Sequence, residues 1–251
     1  KDADGDLFKE LVAPVPLGPA VMDDISGIVR FSRFCSDGGY LSVAANGFHE
    51  TIFFADKDFM DMFEPRIVSG SKKSFLDKNS IFLTEEFAHK YFGHENALGK
   101  TMVVSINNVP LNVMVGGILA DVPYNSTFTE NILMRIENYL DIYDIRENDW
   151  ASAHNASTLF ELSDIAHANA IARQFNKYTT LRNTAVPDSH SSHYELMPFN
   201  RYVSPNHVRR SDLHLPIPFI ALGTFMSLAG IILLIACFNL TNTTLALYTK
   251  R

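Results

Sequence analysis

Residues 215–249 limit the folds open to this chain, because they contain no Asp, Glu, Lys, Arg or His. Residues 219–238 read FIALGTFMSLAGIILLIACF, whose only hydroxyls, on Thr224 and Ser227, can bond back to carbonyls of their own helix. Twenty helical residues rising ~1.5 Å each span roughly 30 Å, the thickness of a bilayer's hydrocarbon core. A core helix of a soluble protein would be shorter and would carry charges on one face. The stretch therefore predicts a transmembrane helix.

The rest of the chain is acidic. It holds 28 acidic and 19 basic residues before residue 250, which gives a formal charge of −9. This balance argues against nucleic acid or anionic lipid as its main partner. Cys35 has no second cysteine to pair with there, because Cys237 lies inside the apolar stretch. We therefore expect an acidic domain without an internal disulfide.

The first part of this domain predicts a helix followed by strands. PVPLGPAVMDDISG is typical of a helix that starts at proline and stops at Gly27. Its apolar face would hold Leu17, Val21 and Ile25. IVRFSRFC follows as a strand, and YLSVAANGFHETIFFA predicts a hairpin that turns near Asn46-Gly47.

The middle of the domain predicts two short helices and a second hairpin. Asp56 can cap the first helix, whose apolar face would hold Phe59, Met60 and Phe63. Thr84 can cap the second, EEFAHKYF, which Gly93 would end. KTMVVSI and PLNVMVGGILADVP pair naturally across Asn107-Asn108, since asparagine tolerates the positive φ of a tight turn.

The last third predicts a β-α-β unit. STLFELSD is a strand that runs into a helix capped by Ser163. One face of that helix would hold Ile165, Ala168, Ala172, Phe175 and Thr179. HYELMPF would then return as a strand. With the elements at the start of the chain, this unit favours an α+β fold of split βαβ, ferredoxin-like type, into which a strand-rich middle is inserted.

The residues that most resemble a catalytic cluster lie in DSHSSH. There Asp188, His190 and His193 could offer a metal three ligands, but the loop has no fixed scaffold and no identifiable fourth ligand. G-x-S-x-G, H-E-x-x-H and G-x-x-x-x-G-K-[ST] motifs are all missing from the sequence. We therefore predict no catalytic, cofactor-binding or metal-binding residue in this chain.

The apolar stretch carries a stripe of small residues. Gly223, Ser227, Gly230 and Cys237 fall within a narrow arc at 100° per residue. Such a stripe lets a neighbouring helix approach closely, although small residues also occur in spans by chance. We predict that Gly223, Ser227 and Gly230 pack against another transmembrane helix.

Four segments carry a resemblance to a known family. They are FFADKDFMDMF (53–63), NSIFLTEEFAHKYFGHENALGKTMVV (79–104), VGGILADVPYNSTF (115–128) and LIACFNLTNTTLALYTKR (234–251). The spacing T-E-x-x-A-x-x-Y-F-G-x-x-x-x-x-G-K, followed by G-I-L-x-D-V-P-x-N-S, is specific when taken whole. In these segments the chain resembles MacB-like, FtsX-type permeases of ABC transporters, in the branch common in Bacteroidetes. VGG stands where that family often has a single glycine.

The resemblance implies a domain organisation and a topology. Residues 1–52 and 126–214 would form a porter-like extracytoplasmic subdomain, residues 53–125 an inserted sabre-like subdomain, and residues 215–249 the transmembrane helix. One more helix would precede Lys1 and two would follow Arg251. The soluble part would lie in the periplasm and Arg251 in the cytoplasm, an orientation that the flanking charges leave open.

The resemblance also implies partners. A separate cytoplasmic ABC ATPase would bind the ATP, so that this chain would hold no cofactor. A second permease copy would complete a homo- or heterodimer in the lipid of the bacterial inner membrane. Such permeases transmit ATP-driven closure to the outer domain for export or extraction of a substrate, and the substrate stays open.

Two other functions compete with the permease. A membrane-anchored extracytoplasmic ligand-sensing domain is the alternative, and a membrane-bound hydrolase comes third because no nucleophile and base can be paired. A full gene with four spans beside an ATPase gene would favour the permease, whereas a kinase or similar output domain would favour the sensor.

Overall fold

The computed structural model describes residues 10–44, 46–123, 128, 131–188, 191–199 and 219–248, and structural statements below refer to these residues. The strands are β1 (Ala13–Pro14), β2 (Ile28–Val43), β3 (Asn46–Ala55), β4 (Ile67–Gly70), β5 (Ser80–Thr84), β6 (Thr101–Ile106), β7 (Val109–Leu119), β8 (Ile132–Arg135) and β9 (Asn155–Leu162). The helices are α1 (Leu17–Asp24), α2 (Phe59–Phe63), α3 (Glu85–Phe92), α4 (Ile136–Ile142), α5 (Ala168–Arg173), α6 (Asn176–Ala185) and α7 (Phe219–Tyr248). The predicted α+β class, with a strand-rich domain and a C-terminal apolar helix, is confirmed.

Six of the strands close into a ring. Strand β2 pairs with β3, β3 with β8, β8 with β5, β5 with β7, β7 with β6, and β6 returns to β2. The β3–β8 and β5–β7 pairs are parallel and the other four are antiparallel. We call this ring the barrel. Closure satisfies the backbone groups that an open sheet would leave at its edges.

The barrel has its own apolar core, which alternating side chains from all six strands form with α3 and α4. Its least exposed strand residues, at 0–2%, are Leu41, Ile52, Phe54, Ile81, Leu83, Met102, Val104, Ile106, Val113, Val115, Ile132 and Met134. From α3 come Ala88, Tyr91 and Phe92.

A second core lies under α1, α5 and α6. The first half of β2 pairs with β9, and β9 pairs with β1, so that three strands back these helices. The core residues are Leu17, Val21, Ile25, Ile171, Phe175 and Tyr178. We call this part the helix layer. Because β2 runs for 16 residues, it belongs to both the helix layer and the barrel.

Several local predictions are confirmed. Helix α1 buries Leu17 and Val21, and the chain leaves it through Gly27 at φ +96°. The second hairpin turns at Asn107 and Asn108, whose φ values of 48° and 63° are both positive. A two-residue turn with two positive φ angles matches the right-handed twist of the flanking strands.

The first hairpin turns two residues earlier than predicted. Val43 pairs with Asn46, so the turn lies between these two residues and Asn46-Gly47 lies in β3. Ala44, directly after β2, adopts a positive φ of 51°.

The predicted caps at Asp56 and Ser163 are wrong, and Thr84 holds its predicted cap position without a capping bond, because all three side chains have other partners. The Asp56 carboxylate binds Arg33. Thr84 occupies the N-cap position of α3, yet its hydroxyl lies 3.2 Å from Asn131 Oδ1, and Asp121 accepts instead from the backbone N–H of Glu86. The Ser163 hydroxyl donates to the carbonyl of Gly27.

The end of the predicted β-α-β unit also differs. Ile165 is 73% exposed, so the buried face of the helices after β9 starts at Ile171. Residues 193–199 pair with no described strand. Tyr194 and Leu196 alternate as a strand would, but they pack on the helix-layer core and not at a sheet edge.

The barrel draws strands from both sides of the predicted subdomain boundaries at residues 52/53 and 125/126. The division into porter-like and sabre-like parts stays a prediction. The described residues 10–197 form one compact unit, and residues 198–199 with α7 belong to a second, which is considered by itself.

Candidate functional site

Helix α7 is long and apolar enough to cross a membrane. The candidate span, Ala221–Thr243, covers 23 residues, or about 35 Å at the helical rise of ~1.5 Å per residue. None of it is buried against other described residues, and large side chains such as Phe225 and Met226 are about 70% exposed. A continuous apolar surface of this size on a polypeptide marks a binding or membrane-contacting face.

The polar side chains of this helix bond within it. The Thr224 hydroxyl donates to the Ala221 carbonyl and the Ser227 hydroxyl to the Gly223 carbonyl, each at 2.8 Å, as the sequence predicts. Thr241 and Thr243 make the same type of bond one turn back. These bonds remove the cost of placing a bare hydroxyl in hydrocarbon.

The predicted stripe of Gly223, Ser227 and Gly230 lies on the exposed surface of α7. A methyl group added to either glycine would meet no described atom within 4 Å. Among the described residues this face therefore has no partner, and its packing against another transmembrane helix stays a prediction.

The domain carries a buried charge cluster centred on Arg33, which is 1% exposed. The Asp56 carboxylate accepts from the Arg33 backbone N–H at 2.7 Å, from Nε at 2.9 Å and from Nη2 at 2.7 Å. Nη2 also donates to Glu147 Oε1 at 2.7 Å, and Nη1 to the Val15 carbonyl at 3.2 Å. Burial acts to lower the pKa of the guanidinium, but the bonds to Asp56 and then Glu147 outweigh it and raise the pKa above its ordinary value.

The sequence interpretation missed this cluster. Its signal was Arg33, one of two arginines in the strand IVRFSRFC, which alternates with Phe31 and Cys35, because a charge that faces a core needs a buried carboxylate. The partners could not be read from spacing, since Glu147 lies 114 residues away.

A second polar cluster lies beside it, at the C-terminal end of α4. The Tyr143 hydroxyl donates to Asp37 Oδ2, and that bond raises the pKa of Tyr143 to about 12. The Tyr139 hydroxyl lies 2.9 Å from His154 Nδ1, and the Tyr143 and His154 rings are 5.1 Å apart. These groups form a connected polar cluster of two tyrosines, one histidine and one carboxylate.

The residues considered as metal ligands, although no metal site was predicted, are Asp188, His190 and His193. His190 lies outside the described residues, whereas Asp188 and His193 lie within them. Within the described ranges, no group of three His, Cys, Asp or Glu side chains could hold a metal ion.

The surface also has an open depression of about 550 Å³ near the first hairpin. It is lined by Val43, Ala44, Asn46, Tyr91, Phe92, Glu95, Gly99, Lys100 and Thr101. Its two charged residues, Glu95 and Lys100, form an ion pair with each other.

A strand-rich α+β domain joined to one long apolar helix is the arrangement of a membrane-anchored protein that carries a folded domain outside the bilayer. The chain belongs to the family of MacB-like periplasmic core domains, whose sequence model matches residues 7–178. Membership makes it a component of an ABC transporter permease with an extracytoplasmic domain. The resemblance stated from the four sequence segments is thereby confirmed.

Solved structures share this fold. A domain of a proposed permease protein from Porphyromonas gingivalis aligns with a TM-score of 0.63 and 20% identity over 84% of this chain and 89% of its own. It agrees with a Bacteroidetes-type branch. The extracellular domain of the noncanonic ABC-type transporter YknZ from Gram-positive bacteria aligns with a TM-score of 0.50 and 13% identity over 74% of this chain and 91% of its own. The periplasmic region of MacB from Actinobacillus actinomycetemcomitans aligns with a TM-score of 0.49 and 17% identity over 65% of this chain and 72% of its own.

Among curated proteins, no sequence matches this chain significantly.

Proposed function

We propose that this chain forms the outer domain and one membrane helix of an ABC transporter permease that transmits ATP-driven motion to the periplasm. The observation that carries the proposal is the order of parts: a family match over residues 7–178, followed by the exposed apolar span Ala221–Thr243. In this mechanism the outer domain moves in response to the ATPase and exports or extracts a substrate.

The proposal assigns ATP to a separate cytoplasmic subunit. The sequence lacks the glycine-rich phosphate loop of P-loop ATPases, which supports the assignment of ATP hydrolysis to another subunit. A second permease copy completes the transporter in the inner membrane, where lipid surrounds α7 and the domain lies in the periplasm. Packed helix interfaces support such transmission, because they shift between discrete arrangements and do not bend continuously.

The test uses the full permease, co-expressed with its neighbouring ATPase and reconstituted in lipid nanodiscs. Spin labels on the exposed Val109 of two permease copies would report the distance between their outer domains. ATP with vanadate, which traps a closed ATPase, should shift this distance. In the control, an ATPase variant without its catalytic glutamate receives ATP but no vanadate, and it should bind ATP without hydrolysing it. Purified permease alone should hydrolyse no ATP.

Two results would contradict the proposal. If the permease co-purifies with no ATPase, the proposed mechanism has no energy source. A distance that stays the same with and without ATP and vanadate, in a complex that hydrolyses ATP, would show that the outer domain does not receive the motion. In either case an extracytoplasmic ligand sensor becomes the better interpretation.

A further inference from the structure

The chain connects the helix layer and the barrel twice within residues 28–162. The first connection is β2, which passes from one part to the other at Phe34, where it pairs with Ser157 of β9 and with Ala55 of β3. The second is residues 143–154, which join α4, packed on the barrel core, to β9. We call residues 143–154 the strap. It forms no helix or strand, and irregular segments of this length in compact domains usually have a function.

Arg33 lies beside the first connection and also holds the second. Its guanidinium binds Asp56, which follows the barrel strand β3, and the carbonyl of Val15, which precedes helix α1. Its third partner is Glu147 of the strap. One buried side chain therefore contacts the barrel, the helix layer and the strap.

The far end of the strap is attached to the helix layer. The Trp150 ring stacks on the Tyr178 ring of α6, with centroids 5.8 Å apart and planes 9° from parallel. Arg182 of α6, which is 7% exposed, donates from Nη1 to the carbonyls of Trp150 and, at 2.8 Å, Ser152. Near its start, Ile145 packs with Val15 and Leu140 in a small apolar cluster.

The two carboxylates on Arg33 are not equivalent. The Asp56 side chain is 10% exposed and accepts three bonds from Arg33, so Arg33 cannot lose it without leaving a buried charge unpaired. The Glu147 side chain is 56% exposed and accepts one. If Glu147 leaves, Asp56 still neutralises Arg33, and Glu147 itself is solvated. This contact can open while both cores stay folded.

We propose that the strap locks the barrel and the helix layer into one rigid body, and that the Arg33–Glu147 contact is its releasable catch. With the catch closed, both parts move together. With it open, the strap keeps its contacts through Ile145, Trp150 and Arg182 but loses its bond to Arg33, and the two cores can change their relative orientation. The proposal concerns this chain alone, so it stands or falls independently of the permease function.

The experiment uses the full chain in lipid nanodiscs, with the exposed Cys237 changed to serine and the buried Cys35 retained. Spin labels replace Val109 on the barrel and Leu181 on α6, which are 38% and 48% exposed. The parent should give one narrow distance. Glu147→Ala should broaden it or add a second distance, and amides of residues 145–152 should exchange hydrogen about tenfold faster or more. Amides of β5–β7 should keep their protection.

Two further variants sharpen the test. Trp150→Leu opens the strap from its other end and should also broaden the distance. Lys177→Ala removes an exposed ion pair between α6 and Asp24 and should leave both readouts at the parent values. Faster strap exchange with an unchanged narrow distance would overturn the lock. Unchanged hydrogen exchange in the strap would overturn Glu147 as the catch. Loss of protection throughout β5–β7 would show that Glu147 has a general role in folding, and this result would also overturn the proposal.

Discussion

Arg33 is a full positive charge held at 1% exposure, and its surroundings explain how the fold tolerates it. Removal of an arginine from water is costly unless its donors are satisfied, and here two carboxylates and one carbonyl accept from it. The planar guanidinium suits this task better than a lysine ammonium, because its donors point in fixed directions toward separate partners.

At the residue scale we predict that Asp56→Asn strongly destabilises the domain. The substitution removes the buried negative charge and leaves Arg33 with the exposed Glu147 alone. Loss of one partner of a buried pair typically costs about 3–5 kcal/mol in the free energy of unfolding. Denaturant titration of the full chain in detergent, followed by the fluorescence of Trp150, the one tryptophan, would measure this loss.

The matched control is Lys78→Ala, which removes the exposed ion pair with Asp141 and should leave the transition midpoint nearly unchanged. If Asp56→Asn shifts the midpoint no more than Lys78→Ala does, the buried pair contributes nothing beyond an ordinary surface contact.

At the scale of a single element, α7 carries the prediction made from its small residues. Gly230→Leu would force a neighbouring transmembrane helix away from the stripe, and association in lipid depends on such close contacts. Leucine suits hydrocarbon, so insertion should be unharmed. We expect normal membrane abundance, an intact outer domain and loss of coupling between ATP hydrolysis and export. Transport assays of the complete permease with its ATPase would measure the coupling.

Leu228→Ala is the control for this prediction, because Leu228 lies on a different face of α7 and is exposed. It should change coupling little. A Gly230→Leu permease that couples as well as its parent would place the stripe against lipid and the helix interface elsewhere.

The elements that could be predicted from sequence are those set by neighbouring residues. Asn107 and Asn108 mark their own turn, the stripe of α3 repeats within two helical turns, and α7 needs only its composition. Contacts between distant segments could not be predicted from the sequence. The closure of β6 on β2 and the partners of Arg33 depend on how the strands assemble, which no local pattern encodes.

The position of the first hairpin turn could not be predicted either. Asn46-Gly47 is the better turn sequence, yet the turn lies between Val43 and Asn46. Of the candidate site, the membrane helix was therefore predictable and the Arg33 cluster was not.

At the scale of the whole molecule we predict the membrane orientation. Residues 1–214 should lie outside the cytoplasm and the segment after α7 inside, as the family's periplasmic domain requires. Protease added to intact spheroplasts should therefore remove the domain and leave a protected fragment that contains α7. A domain that survives until the cells are lysed would reverse this orientation.

The pairing of β2 with β9 also determines when the domain can finish folding. Phe31 of β2 pairs with Phe160 of β9, and the helix-layer core also needs Tyr178. At synthesis rates of about 5–20 residues per second, the first half of β2 therefore waits for roughly 7 to 30 s before β9 and Tyr178 exist. During that time the apolar residues of this half lack their partners in the helix layer. Helix α7 is synthesised only after the last of these partners, so the outer domain can complete its folding about when its anchor enters the bilayer.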